Sequence, residues 1–110
     1  MSARPFTIVM DQGSDYILSI PVLNSSQQAV DVTEWVVRGQ VRQRHVADTP
    51  QELDVTVEDD AVTLRIPAAT SSAWTFRAAR YDIEITSPDG LATTRLIEGL
   101  LVVRPEVTRV

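Results

Sequence analysis

At 110 residues with 44% hydrophobic side chains, the chain has the length of one ordinary domain and enough apolar material to bury a real core. It contains no cysteine, which excludes a disulfide framework, a thiolate metal site and a cysteine nucleophile. A net charge of −5 argues against nucleic acid as a partner, because phosphate binding is driven by clustered positive charge.

All 10 basic side chains are arginine. A genome rich in G and C produces that bias without any function, yet the physical consequence stands: arginine forks pair bidentately with carboxylates and suit protein interfaces better than lysine does. No run approaches the roughly 20 apolar residues of a membrane span. The opening MSARPFTIVM lacks the long apolar segment and small-residue cleavage site of a signal peptide. The expectation is a soluble chain made in a cytoplasm, with no membrane partner.

In chain order, Phe6, Ile8 and Met10 alternate with Thr7 and Val9 behind Pro5, the pattern of a strand with proline at its start. The polar break 11–14 follows, and then Tyr16, Leu18, Ile20 and Val22 resume the alternation. Pro21 inside this second run removes a ladder donor, so the strand belongs at a sheet edge or at a bulge. After the polar cluster 24–28, Trp35, Val37, Gly39 and Val41 fall on one face of a third strand, and Arg38, Gln40, Arg42 and Arg44 fall on the other. Gly39 in mid-strand marks a close neighbour or a bend.

The polar loop 43–51 leads to a hairpin in which Leu53, Val55 and Val57 run up to the acidic turn at Asp59-Asp60, and Val62, Leu64 and Ile66 return. The segment 67–77 has weak helix formers competing with Thr and Ser, so one helical turn is its limit before Trp74 or Phe76 drops onto the core. A last hairpin spans 80–105. Its turn, Ser87-Pro88-Asp89-Gly90, combines a preset φ, a side chain that bonds its own backbone and a residue that accepts positive φ. Tyr81, Ile83 and Ile85 face inward in the first arm. In the second arm Arg95, Ile97, Gly99, Leu101 and Val103 share one face, while Leu96, Leu100 and Val102 make the opposite face apolar as well. A strand apolar on both faces is covered on both, and so small a domain has one core to offer. The expectation is one domain over residues 1–110, with 104–110 as a C-terminal extension, folded as an all-β antiparallel sandwich of about seven strands.

The ordered set Gln12-Gly13-Ser14-Asp15-Tyr16, Val30-Asp31-Val32-Thr33, Arg38-Gly39-Gln40-Val41-Arg42, Ala61-Val62-Thr63-Leu64, Tyr81-Asp82-Ile83-Glu84, Pro88-Asp89-Gly90, Arg95-Leu96-Ile97-Glu98-Gly99 and Arg104-Pro105-Glu106-Val107-Thr108 resembles small immunoglobulin-like proteins of bacteriophage tails. Related domains look like the N-terminal part of phage baseplate upper proteins and tail-fibre proteins. The resemblance covers nearly the whole chain. It implies an immunoglobulin-like fold and a non-enzymatic virion structural component, made in the host cytoplasm, that joins other phage structural proteins and copies of itself. It transfers no catalytic residue and no cofactor. The chain departs from the pattern at Leu100 and Val102, where the family pattern leads one to expect polar residues, and in the loop 43–51.

Chemistry of other kinds finds little footing. His45, the single histidine, stands in a polar loop and reads as a solvated side chain. Gly-x-Ser-x-Gly is absent, so acyl transfer has no nucleophile elbow. Glu58, Asp59 and Asp60 crowd one turn without the spacing of a Ca²⁺ loop, and the 4 glycines form no phosphate cradle. The residues expected to meet another protein are Leu96, Leu100 and Val102, the tail residues Arg104, Glu106 and Val107, the arginines Arg38 and Arg42, and Trp74, which reads either as core or as an exposed anchor. The tail 104–110 is expected to reach a neighbouring chain as an added strand or arm. A capsid decoration protein, or a carbohydrate- or Ca²⁺-binding sandwich built on Trp74 and the 58–60 turn, are the other classes the residues leave open.

Overall fold

The computed structural model describes residues 4–24, 26–42, 51–74 and 76–105. The loop 43–50 with Arg44 and His45, and the tail from Glu106 with Val107, lie outside the described residues. Among the described residues there are eight strands: β1 (Arg4–Pro5), β2 (Ile8–Asp11), β3 (Tyr16–Pro21), β4 (Val36–Arg42), β5 (Gln51–Glu58), β6 (Ala61–Ile66), β7 (Ala78–Thr86) and β8 (Thr93–Arg104). One short helix, α1 (Ala68–Ser72), fills the crossover where a single turn was expected. The fold is all-β.

The strands form one curled sheet in the order β1-β8-β7-β4-β5-β6-β3, with β2 also paired to β8. The curl is made by β5. Its first residues, from Gln51 to Leu53, pair with β4, and the rest, from Asp54 to Glu58, pair with β6, so one strand serves two ladders. The two ladders enclose a shared core of β-branched and leucine side chains, among them Ile8, Val41, Val62, Leu64, Ile83 and Leu101. β3 stands at the end of the order, where the missing donor of Pro21 faces no further strand.

The sheet is mixed, which corrects the all-antiparallel expectation. β1 and β2 run parallel to β8 in one continuous register, Arg4 opposite Ile97 and Ile8 opposite Leu101. The ladder breaks at Phe6 and Thr7, and Phe6 is an exposed side chain rather than the core residue that its alternation with Ile8 predicts. The reason lies across the strand pair. The Phe6 carbonyl turns toward the inner side, where it accepts a hydrogen bond from the Tyr81 hydroxyl at 2.6 Å. Gly99, paired with Tyr81, leaves the room: a Cβ there would collide with the Phe6 carbonyl oxygen and lie 3.1 Å from its carbon. Gly39 has a milder version of the same role, since an added Cβ would meet Ile83, Leu53 and Val55 at 3.3 Å each.

Burial pushes the Tyr81 hydroxyl up to about 12, with Tyr16 nearby adding to the shift. An unfolded tyrosine ionises near pH 10, so between pH 10 and 12 the unfolded chain releases a proton that the folded one keeps. Stability is therefore full below pH 10 and falls as pH rises toward 12. Tyr81→Phe is expected to flatten that alkaline limb by on the order of 2 kcal/mol in urea titrations at stepped pH. A variant with an unchanged alkaline slope would mean the hydroxyl is not held as described.

The two hairpins form as their turns dictate. Asp59 takes φ 49° between β5 and β6, and Gly90 takes φ 76° between β7 and β8. In the second turn Ser87 Oγ donates to Asp89 Oδ1 at 2.5 Å and the Leu91 amide donates to the same oxygen at 2.9 Å. These bonds hold the Asp89 carboxyl below the usual range. Ser71, buried in α1, accepts from the Gly13 amide at 2.9 Å, and Asp15 accepts from the Ala68 amide at 2.7 Å. These bonds fasten the crossover to the loop between β2 and β3.

Candidate functional site

The outward faces of β4, β7 and β8 carry charged side chains of both signs in alternating rows. Their register fixes which side chains stand beside one another. Arg38, Gln40 and Arg42 lie opposite Glu84, Asp82 and Arg80, and those in turn lie opposite Arg95, Glu98 and Leu100. Side chains two apart on a strand share a face, so these residues build rows across the strands. One row carries Leu100, Arg80 and Arg42. The next carries Glu98, Asp82, Gln40 and, on β5, Glu52. A third carries Arg95, Glu84 and Arg38. An open groove of about 460 Å³ spans all three rows, from Arg42 and Arg80 through Asp82 and Glu98 to Glu84 and Arg95.

The ion pairs are selective. Arg38 joins Glu52 at 2.7 Å, and Gln40 Nε2 donates to the same carboxylate at 2.8 Å. Hydrogen bonds from Gln40 and then Arg38 hold the Glu52 carboxyl below its ordinary range. Glu84, although opposite Arg38, acts on it only at a distance. Arg95 meets Glu98 at 3.0 Å and Asp82 at 3.5 Å. All of these pairs are solvent-exposed, so water and salt screen them and they add little to the stability of the fold. Arg42 and Arg80 face each other directly across β4 and β7. Neither has an ion pair among the described residues.

Beside the arginine row the surface turns apolar. Val9 and Val102 are paired in register, with Ala78 on the far side of Val102 and Leu100 one row away. Val9 is 53% exposed and Leu100 43% exposed, while Val102 is half-buried. Asp11 and Arg104 close the strip with an ion pair at 2.7 Å. Leu100, Val102 and Arg104 thus stand together on the outer face, as their alternation predicts.

Two expected members do not join them. Leu96 packs against the core, because a register shift between Ile83 and Glu84 inserts it as an extra residue between Ile97, opposite Ile83, and Arg95, opposite Glu84. That bulge also turns Arg95 outward, away from the face it would share with Ile97 under strict alternation. Trp74 is core: it is 5% exposed, its ring centroid lies 5.0 Å from that of Phe76, and its indole N–H donates to Gln51 Oε1 at 2.7 Å. Alternation placed Val9 on the face opposite Ile8 and Met10, but its place in this strip was missed because nothing in that alternation identifies β8 as its neighbour.

Among the described residues no group of three or more His, Cys, Asp or Glu side chains is gathered so that it could hold a metal ion. No helix among them is long and apolar enough to cross a membrane. No family model matches the chain, and no curated protein matches it.

Proposed function

We propose that this chain is a non-enzymatic structural protein of a bacteriophage virion, an adaptor at the junction of baseplate and tail fibre that works by burying its outer strand face against another protein. The observation that carries the reading is the strip formed by exposed Val9 and Leu100 with half-buried Val102 between them, on a domain whose core is already filled by other residues. Apolar side chains contiguous on one face, bordered by charge, have the character of an interface centre with a polar rim. The resemblance noted in the sequence supplies the setting, and the immunoglobulin-like sandwich belongs to the same proposal. Two ladders enclosing one core, joined through β5, support that fold reading. The carbohydrate-binding alternative loses its aromatic platform, since Trp74 is buried.

Immunogold labelling of virions induced from the genome that encodes the chain tests the setting. Label on the tail or baseplate is expected. Label on the head would replace the adaptor with a capsid decoration protein, and unlabelled particles would end the virion reading. Leu100→Asp and Val102→Asp test the surface: incorporation into particles is expected to fall at least tenfold while the circular dichroism spectrum stays unchanged. Normal incorporation of both folded variants would remove the strip from the interface.

A further inference from the structure

The outer face is self-complementary in a way that points to a second copy of this chain as its occupant. A row of positive charge, Arg80 and Arg42, lies next to a row of negative charge, Asp82, Glu98 and Glu52, two residues away along each strand. Consider a twofold axis lying in the plane of contact, running across the strands between these two rows. Rotation about it turns a second copy face to face with the first and reverses its strand direction. Position across the strands is kept, so each row exchanges with the one on the other side of the axis. Arg80 then meets Asp82 of the second copy, and Asp82 meets Arg80 of the second copy. Arg42 comes over Gln40 of the second copy, beside Glu52 of that copy. An isologous contact of this kind makes the Arg80–Asp82 pair twice, while Leu100 comes over Glu98 of the second copy, whose carboxylate stays with its own Arg95.

We propose that two copies of this domain associate through this face, with the reciprocal Arg80–Asp82 pairs at its centre. Arg42 and Arg80 stand opposite one another with no ion pair among the described residues, and like charges so placed favour acidic groups brought from outside. Arg95 already holds Asp82 at 3.5 Å, a long contact that leaves room for a second guanidinium on that carboxylate. The face spans about four rows and four strands, about 500 Å² per copy at ordinary strand spacing, which is close to the lower limit of specific interfaces. The dimer is therefore weak, and because its centre is ionic it weakens further with salt. The inference stands independently of the virion setting, which the labelling experiment tests separately.

Sedimentation equilibrium of the purified domain decides it. At low ionic strength and several hundred micromolar protein, a monomer–dimer equilibrium is expected, shifting at least fivefold toward monomer in 0.5 M NaCl. Arg80→Glu and Asp82→Arg are each expected to be monomeric, since each brings like charges together twice. An equimolar mixture of the two is expected to dimerise, because the two introduced charges then meet as opposites and the unaltered Asp82 of one variant meets the unaltered Arg80 of the other. Circular dichroism confirms folding, and Asp82→Lys takes the place of Asp82→Arg if the latter unfolds. A monomeric wild type under these conditions, a dimer indifferent to both single variants, or a mixture that stays monomeric would each overturn the proposal.

Discussion

Gly99→Ala is expected to cost about 2–4 kcal/mol, because its methyl group must occupy the space where the Phe6 carbonyl passes. The obstruction is backbone, and backbone cannot rotate aside as a side chain end can. Relief requires the Phe6–Thr7 segment to move off β8, which pulls the carbonyl from the Tyr81 hydroxyl and strains the parallel pairing on both sides of the break. A hydrogen bond lost with one group left buried costs about 1–3 kcal/mol, and overpacking adds a similar amount. The expected fall in Tm is about 10–20 °C for a chain of this size, read by thermal melting at neutral pH. Hydrogen exchange localises the damage: the amides of Phe6 and Gln12, which donate to the Glu98 and Arg104 carbonyls, are expected to lose protection before those of the β5–β6 ladder. A melting temperature within about 2 °C of wild type, well inside the shift expected of a single lost kcal/mol, would show that the segment yields freely and that Gly99 is not what admits it.

The same strand pair marks the boundary of what the sequence makes legible. Hairpins are local, and their turns carry their own chemistry, so the Asp59-Asp60 and Ser87 to Gly90 reversals could be read from the residues. Pro21 placed β3 at an edge and Gly39 announced a close neighbour for equally local reasons. The docking of β1 and β2 on β8 is different in kind. It joins the two ends of the chain in a parallel pairing that no turn encodes, and alternation alone gives a strand its faces but not its partner. The bulge at Leu96 was hidden for a related reason, since one inserted residue flips every side chain before it, and Arg95 and Leu96 exchanged their expected roles. Of the candidate surface, the half encoded by alternation on one strand was legible: Leu100, Val102, Arg104, Arg38 and Arg42. The half that depends on register was not: Val9 beside Val102, Arg80 against Arg42, and Glu52 as the partner of Arg38.

Leu101→Ala is expected to destabilise the fold by about 2–5 kcal/mol, whereas Leu100→Ala, one residue away, is expected to stay within about 0.5 kcal/mol of wild type. The two share a residue type, a strand and a backbone conformation, so propensity cancels between them. What differs is the side of the sheet. Leu101 is 0% exposed, opposite Ile8 and Ala79 in the core, and truncating it opens a cavity that the rigid surroundings of β2 and β7 fill only in part. Leu100 is 43% exposed beside Arg80, and its truncation removes apolar surface that the folded monomer leaves in water. Urea denaturation of both variants at neutral pH measures the contrast. The comparison bears on function as well as on folding, because a residue that contributes little to the monomer's stability and yet presents apolar surface is free to contribute to binding. If Leu100→Ala proved as costly as Leu101→Ala, the outer strip would be covered by the chain's own residues, and the surface assigned to another protein would already be occupied.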